Sequence, residues 1–234
     1  MDNFHALFSF MPRFAHLIFD LDGTLVDTKA DLAAATNFML SALELPTLTI
    51  AQVERLVGEG ARVLVEHALG PQRAHLVSRG FALFIEYYTA HLLDQTQPYA
   101  GIVELLAAAH GQGIALSVLT NKPESPSRAI LIGLGLVDFF GTLIGGDTLP
   151  MRKPDPQGVR YLQQLTGIDL AATLLIGDSR IDVETGRAAG VTTCGVTWGF
   201  DAEGMRACAP QFVVDSPAQL AGLVLSPVFC SPSP

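Results

Sequence analysis

Asp20 and Asp22 follow directly on the apolar run Leu17-Ile18-Phe19, and Gly23, Thr24, Leu25, Val26 and Asp27 come next. The run reads as a buried central strand of a parallel sheet. The two acids then fall at its carboxyl end, where open α/β sheets hold their ligands. A carboxylate taken out of water needs a partner, and a hard cation such as Mg²⁺ suits an oxygen donor of this kind. A bare D-x-D also fits a solvated turn with incidental acids. The longer string D-x-D-G-T-L-x-D speaks against that.

Three later stretches have a similar form. Thr120-Asn121-Lys122-Pro123 ends the apolar run Ile114–Leu119. A hydroxyl there, with nearby backbone N–H groups and the start of a following helix, suits an anion, although Thr120 and Asn121 could equally cap that helix. Lys153 sits in Met151-Arg152-Lys153-Pro154-Asp155-Pro156, ahead of a proline-started helix. A fixed ammonium there can neutralise a phosphoryl oxygen and an aspartate together, whereas most lone lysines are simply solvated. Asp178 and Asp182 follow the run Leu174-Leu175-Ile176-Gly177. They read either as an N-cap and a first-turn acid or as a metal ligand at Asp178 with Asp182 binding through water or orienting its shell.

Positioning these residues requires a particular order of elements. Strands are expected at 114–119, 142–144, 173–176, 191–196 and 212–214, with helices at 102–110, 125–134, 155–165, 182–189 and 217–223. That alternation implies a parallel sheet with helices on both faces. Between the first strand and the second lies far more chain than the roughly 30 residues of a βαβ unit. Leu32, Ala35, Met39, Ala42 and Leu43, then Leu76, Phe81, Phe84, Ile85, Tyr88 and Leu92, recur there at helical spacing. The expected organisation is an α/β core from 1–27 and 98–234, an all-helical second domain over 28–97, and a loose tail over 226–234.

Composition narrows the function classes. The chain has 234 residues, a hydrophobic share of 49% and a net charge of −9. A sizeable core can be buried, and the negative charge disfavours nucleic acid and anionic membrane as partners. No run of 18 apolar residues suggests a membrane span. The apolar start (Phe4, Leu7, Phe8, Phe10, Met11) has no charged beginning or cleavage site, so no signal peptide is expected. Cys194, Cys208 and Cys230 form no ligand spacing and suit a reducing, cytoplasmic setting. None of the histidines pairs at a metal-like spacing, and Trp198-Gly199-Phe200 reads as packing near the same sheet edge.

In order and placement the four stretches resemble the four motifs of the haloacid dehalogenase-like superfamily. The resemblance covers residues 15 to 200 or so. It implies a Rossmann-like doubly wound core with a helical cap inserted after the first strand. It further implies a phosphatase in which Asp20 is the nucleophile, Asp22 the acid/base and Mg²⁺ the cofactor. Thr120, Asn121 and Lys153 would hold the phosphoryl group. Asp20, Asp22 (through its backbone carbonyl), Asp178 and Asp182 would be the metal set. The acid at position 22 argues against the dehalogenase branch. In related phosphatases a small-residue cap turn, here Gly58-Glu59-Gly60-Ala61-Arg62, faces the site, so Gly60 and Arg62 are candidates for reading the leaving group, against an ordinary helix–helix connection.

The stretch Leu25–Ala35, this turn and R-K-P-D-P look most like phosphoglycolate phosphatases. The implied substrate is a small phosphorylated metabolite such as 2-phosphoglycolate, acted on by a monomer or homodimer. A sugar-phosphate mutase of the β-phosphoglucomutase kind shares the same motifs. A catalytically silent Mg²⁺-responsive binding module is the alternative from another class.

Overall fold

A computed structural model describes residues 11–228. In chain order the elements are β1 (Met11–Pro12), β2 (His16–Phe19), β3 (Val26–Asp27), α1 (Lys29–Ala42), α2 (Ile50–Glu54), α3 (Ala61–Leu69), α4 (Val77–Ala90) and β4 (Gln97–Pro98). They continue with α5 (Ile102–Gly111), β5 (Ala115–Leu119), α6 (Glu124–Gly133), β6 (Thr142–Ile144), α7 (Gln157–Thr166), β7 (Thr173–Gly177), α8 (Arg180–Ala189) and β8 (Thr192–Val196). The last are α9 (Ala202–Ala207), β9 (Phe212–Val214), α10 (Pro217–Leu225) and β10 (Pro227–Val228).

Six strands form one sheet in the order β6-β5-β2-β7-β8-β9, and every pair is parallel. The chain runs outward from β2 to β5 and β6, then returns to β7 on the other side. The strand order therefore reverses between β2 and β7. At such a reversal the two flanking loops part and leave a crevice beyond the strand ends. The loops that part here carry Asp20 and Asp178.

β2 is central because all of it can be buried. Leu17 and Phe19 face one apolar cluster with Ile102, Leu106 and Leu220. Ile18 points to the other, with Val159, Leu162 and Ala189. The alternation is the period of two of a strand, and helices cover both faces.

The one polar residue of β2, His16, is 1% exposed. Its Nε2 lies 2.9 Å from Ser117 Oγ on β5. Burial pushes its pKa down to about 4. The unfolded chain therefore takes up a proton near the ordinary value of about 6.5 while the folded chain does not. Stability is expected to be flat above that pH and to fall by roughly 3 kcal/mol as the pH drops towards 4. Urea titrations across this window would show it, and His16→Asn, which can keep a hydrogen bond to Ser117 without titrating, should remove that part of the slope.

Between β3 and β4 the chain is helical. α1 and α4 pack along each other, and Met39, Leu64, Val65, Phe84 and Tyr88 are buried. Entry and exit lie side by side, because β3 and β4 pair antiparallel with Val26 opposite Pro98 and Asp27 opposite Gln97. Asp31, at the start of α1, is 3% exposed. Its carboxylate accepts from the backbone N–H of Gln95 and Thr96 and from Thr96 Oγ1 at 2.7–3.0 Å. These bonds fix the return of the chain to the start of the excursion.

The sequence expectations miss some local features. α8 begins at Arg180 rather than Asp182, and Ser179 rather than Asp178 caps it. Ser179 Oγ and the Asp182 carboxylate form a reciprocal capping box there. α9 has no counterpart among the expected helices; Asp201 starts it by accepting from Gly204 N–H. Residues 227–228 of the expected loose tail pair antiparallel with Met11–Pro12. The apolar start of the chain lies outside the described residues up to Phe10, as does the tail beyond residue 228.

Candidate active site

Asp20 leaves β2 with its carboxylate turned back on its own loop. Oδ1 accepts from Leu21 N–H at 2.7 Å and from Lys153 Nζ at 2.9 Å. Among the described hydrogen bonds Oδ2 takes none. Burial pushes the Asp20 carboxyl up to about 6; Lys153 opposes that rise, and Asp182 adds to it.

Lys153 is 4% exposed and bridges Asp20 to Asp182, whose Oδ1 lies 2.6 Å from Nζ. Burial alone would lower this ammonium's pKa. Asp182 and Asp20 outweigh burial and hold it above the ordinary lysine range. Asp182 Oδ2 accepts in turn from Ser179 N–H and Ser179 Oγ. Both Asp182 oxygens are thus fixed by the chain itself.

Asp178, 2% exposed, accepts from Thr24 Oγ1 at 3.0 Å and from Phe200 N–H at 2.7 Å. Its carboxyl is held well above the usual range, first by burial and then by the charges of Asp182 and Asp20. Two glycines leave it room. A Cβ at Gly23, where φ is +83°, would collide with the Asp178 carboxylate. One at Gly199 would meet the same carboxylate and the Gly23 carbonyl. Gly23 is thus fixed by its positive φ and by the approach of Asp178, and neither requirement is visible in the motif string.

Asp20, Asp178 and Asp182 each offer an oxygen within 4.8 Å of the others. Asp20 and Asp182 share the one ammonium and Asp178 stands beside them; in their ionised forms the three carboxylates leave two negative charges to balance. The donors are all hard oxygens. The set therefore fits a divalent cation such as Mg²⁺ by both charge and chemistry.

Asp22 stands apart from this cluster. Its side chain accepts from Thr28 Oγ1 at 2.7 Å and from Lys122 Nζ at 3.0 and 3.1 Å. Lys122 also donates to Tyr88 OH at 2.6 Å. Sequence reasoning passed over Lys122, Thr28 and Tyr88, which lie far from one another in the chain. The only local sign was that Lys122 sits one residue beyond Thr120-Asn121.

Thr120 is buried at the end of β5 and lines the same cavity as Asp20 and Asp22. It does not cap α6, whose N-cap is Pro123. Asn121 lines the cavity as well, and its side-chain amide is already engaged. Its Nδ2 donates to the Gly58 and Lys153 carbonyls, both at 3.0 Å. Both amide hydrogens are used in tying the helical excursion to the Lys153 loop, and among the described residues Oδ1 is buried without a partner. Gly60 lines the cavity. Arg62 is not among the residues lining it, and its guanidinium lies 4.8 Å over the Phe81 ring. The apolar flank of α4 offers that cation a face to stack on, and the two residues are neighbours across the α3–α4 packing.

Leu32, Val57, Leu64, Phe84 and Ile85 wall the cavity above the acids. Its free volume is about 60 Å³, room for a group of only a few heavy atoms. Trp198 is not among the lining residues; its Nε1 donates to the Thr24 carbonyl at 3.1 Å, behind the turn that carries Gly23.

Comparison with known proteins gives a consistent picture. The family described as haloacid dehalogenase-like hydrolase matches residues 17–196. A phosphoglycolate phosphatase of Rhodospirillum rubrum is 41% identical over 218 residues, which is 90% of this chain and 90% of that protein. A phosphoglycolate phosphatase of Pseudomonas putida is 38% identical over 223 residues, 92% of this chain and 81% of that one. The crystal structure of a predicted phosphoglycolate phosphatase from Haemophilus somnus 129PT superposes with a TM-score of 0.86 at 31% identity, covering 91% of this chain and 99% of that one.

Proposed function

We propose that this chain, which belongs to the haloacid dehalogenase-like hydrolase family, hydrolyses a small phosphomonoester such as 2-phosphoglycolate through a covalent intermediate on Asp20. It is a phosphatase of that family. The observation that carries the finer reading is the geometry around Asp20: a carboxylate at the switch point with one oxygen held by Lys153 and the other without a described partner.

Phosphate monoesters repel nucleophiles, so their charge must be met before attack. The Lys153 ammonium supplies one positive charge beside Asp20. Asp20 and Asp178 would hold Mg²⁺, with Asp182 behind them steering Lys153; when bound, the ion neutralises phosphoryl oxygens and fixes their orientation. Asp20 Oδ2 attacks phosphorus, the ester oxygen leaves, and an aspartyl-phosphate remains on Asp20. Asp22 delivers the proton to the leaving oxygen and later takes one from the water that cleaves the intermediate. Thr120 offers its hydroxyl to the transferring group. The helical excursion over 28–97 serves as the lid, and its apolar wall keeps bulk water out while admitting only small leaving groups.

A panel of small phosphomonoesters, incubated with Mg²⁺ or with chelator, tests this reading. Phosphate release from the smallest acids, lost on chelation, is the expected result. Absence of release from the whole panel would overturn it. Conversion of a hexose phosphate to an isomer without free phosphate would instead identify a mutase.

A further inference from the structure

We infer that Lys122 is the specificity-determining residue, exchanging its ion pair from Asp22 to a carboxylate carried by the leaving alcohol. The inference rests on the phosphatase reading above and names the group that reads its substrate.

Among the described residues lining the cavity, Lys122 is the one basic side chain, whereas Asp20, Asp22, Asp178 and Asp201 are acids. It is 7% exposed. Its Nζ contacts both oxygens of Asp22 and the hydroxyl of Tyr88, and stands 4.6 Å from the Tyr88 ring centroid. Asp22 is held by Lys122 on both oxygens and by Thr28 on one. In that arrangement its oxygens face fixed donors rather than a leaving group.

Breaking a buried pair is unfavourable unless another charge takes the vacated place. A neutral leaving group cannot do so, and it would leave the buried ammonium without its charge partner. A carboxylate can, because it replaces one oxygen pair with another on the same Nζ. Asp22 then keeps its Thr28 hydrogen bond and, no longer paired with the ammonium, can take up from solvent the proton it delivers to the ester oxygen. Tyr88 anchors Lys122 from α4 throughout, so the exchange happens at the seam between the helical excursion and the sheet. Recognition of the carboxylate and readiness of Asp22 are in this way one event, and a substrate lacking the carboxylate loses turnover as well as binding.

The test compares 2-phosphoglycolate with 2-hydroxyethyl phosphate, whose leaving alcohol carries a neutral hydroxyl in place of the carboxylate, on the Mg²⁺-loaded protein. The wild type is expected to favour the carboxylate ester by about 100-fold or more in kcat/KM, with part of the preference in kcat. Lys122→Met should reduce the preference at least tenfold, mainly through the carboxylate ester, and Lys122→Arg should keep more of it. An equal preference in wild type and Lys122→Met, or none in wild type, overturns the inference. Should Lys122→Met fail to fold, inhibition of the wild type decides. Glycolate should suppress hydrolysis of 2-hydroxyethyl phosphate at a concentration at least tenfold lower than ethylene glycol does, and equal inhibition overturns the proposal. Hydrolysis of neither ester by the wild type overturns the phosphatase reading itself, and this inference with it.

Discussion

Asp20→Asn is expected to abolish turnover while leaving the protein at least as stable as the wild type. The amide keeps the shape and the acceptor for Leu21 N–H but cannot attack phosphorus. Loss of an activated nucleophile lowers kcat by roughly 10⁴-fold or more. The stability half follows from the raised carboxyl of Asp20, whose pKa is pushed up to about 6 mainly by burial. An acid with a folded pKa above its unfolded one destabilises the fold in its ionised form. Wild-type stability should therefore fall as pH rises from about 4 to 6 and stay low above that, by up to about 3 kcal/mol. The amide of the Asp20→Asn variant does not titrate, so the variant should lack this fall. Thermal melts in metal-free buffer at pH 7, beside phosphate release with Mg²⁺, measure both halves. A variant that kept normal turnover would remove Asp20 from the mechanism.

Lys153→Met is expected to fail in the opposite way, losing both stability and activity. Lys153 is the shared partner of Asp20 and Asp182, at 2.9 and 2.6 Å, and is 4% exposed. Removing one member of a buried pair leaves the others without compensation, at a cost of about 3–5 kcal/mol. For a chain of this size that corresponds to a melting temperature lower by roughly 10 °C. Activity should drop by about 10²- to 10³-fold, the usual effect of removing one electrostatic partner of the reacting group. Adding Asp182→Asn to Lys153→Met should recover part of the stability and none of the activity. Calorimetry on the single and double variants tests this, and a simple sum of the two single effects would show that the residues are not coupled.

These residues differ in how far the sequence disclosed them. Asp20 and Asp178 were legible because each follows a short apolar strand directly, and the end of a strand in a parallel sheet is a place that sequence can locate. The order of strands was legible for the same reason. Lys122 was not, because a lone lysine before a proline ordinarily points to water. What makes it otherwise is Asp22 and Tyr88, separated from it by 100 and 34 positions. Arg62 shows the converse. A cation beside a small-residue turn suggested a reader of substrate; its guanidinium lies over the Phe81 ring and is not part of the cavity lining, a placement the local pattern does not reveal. For Asn121 the motif gave the position, but not the carbonyls of Gly58 and Lys153 that use its side-chain amide. Local pattern locates the backbone of a site well, and the partners of a long side chain poorly, because those partners are chosen by tertiary packing.

The antiparallel pairing of Val26–Asp27 with Gln97–Pro98 has a consequence for how such a protein can change over generations. To the sheet, everything between those two short strands is a loop already closed at its base. Lengthening or replacing a loop whose ends are fixed costs the fold little, about 0.6 kcal/mol for each doubling in length. On the function proposed above, the helices above the acids would be an exchangeable cassette: refitting the insert would offer Asp20, Lys153 and Asp178 new leaving groups without retuning the strands that hold them. Residues at the seam, such as the hydrogen-bonded pair Lys122 and Tyr88, would then change in step with it.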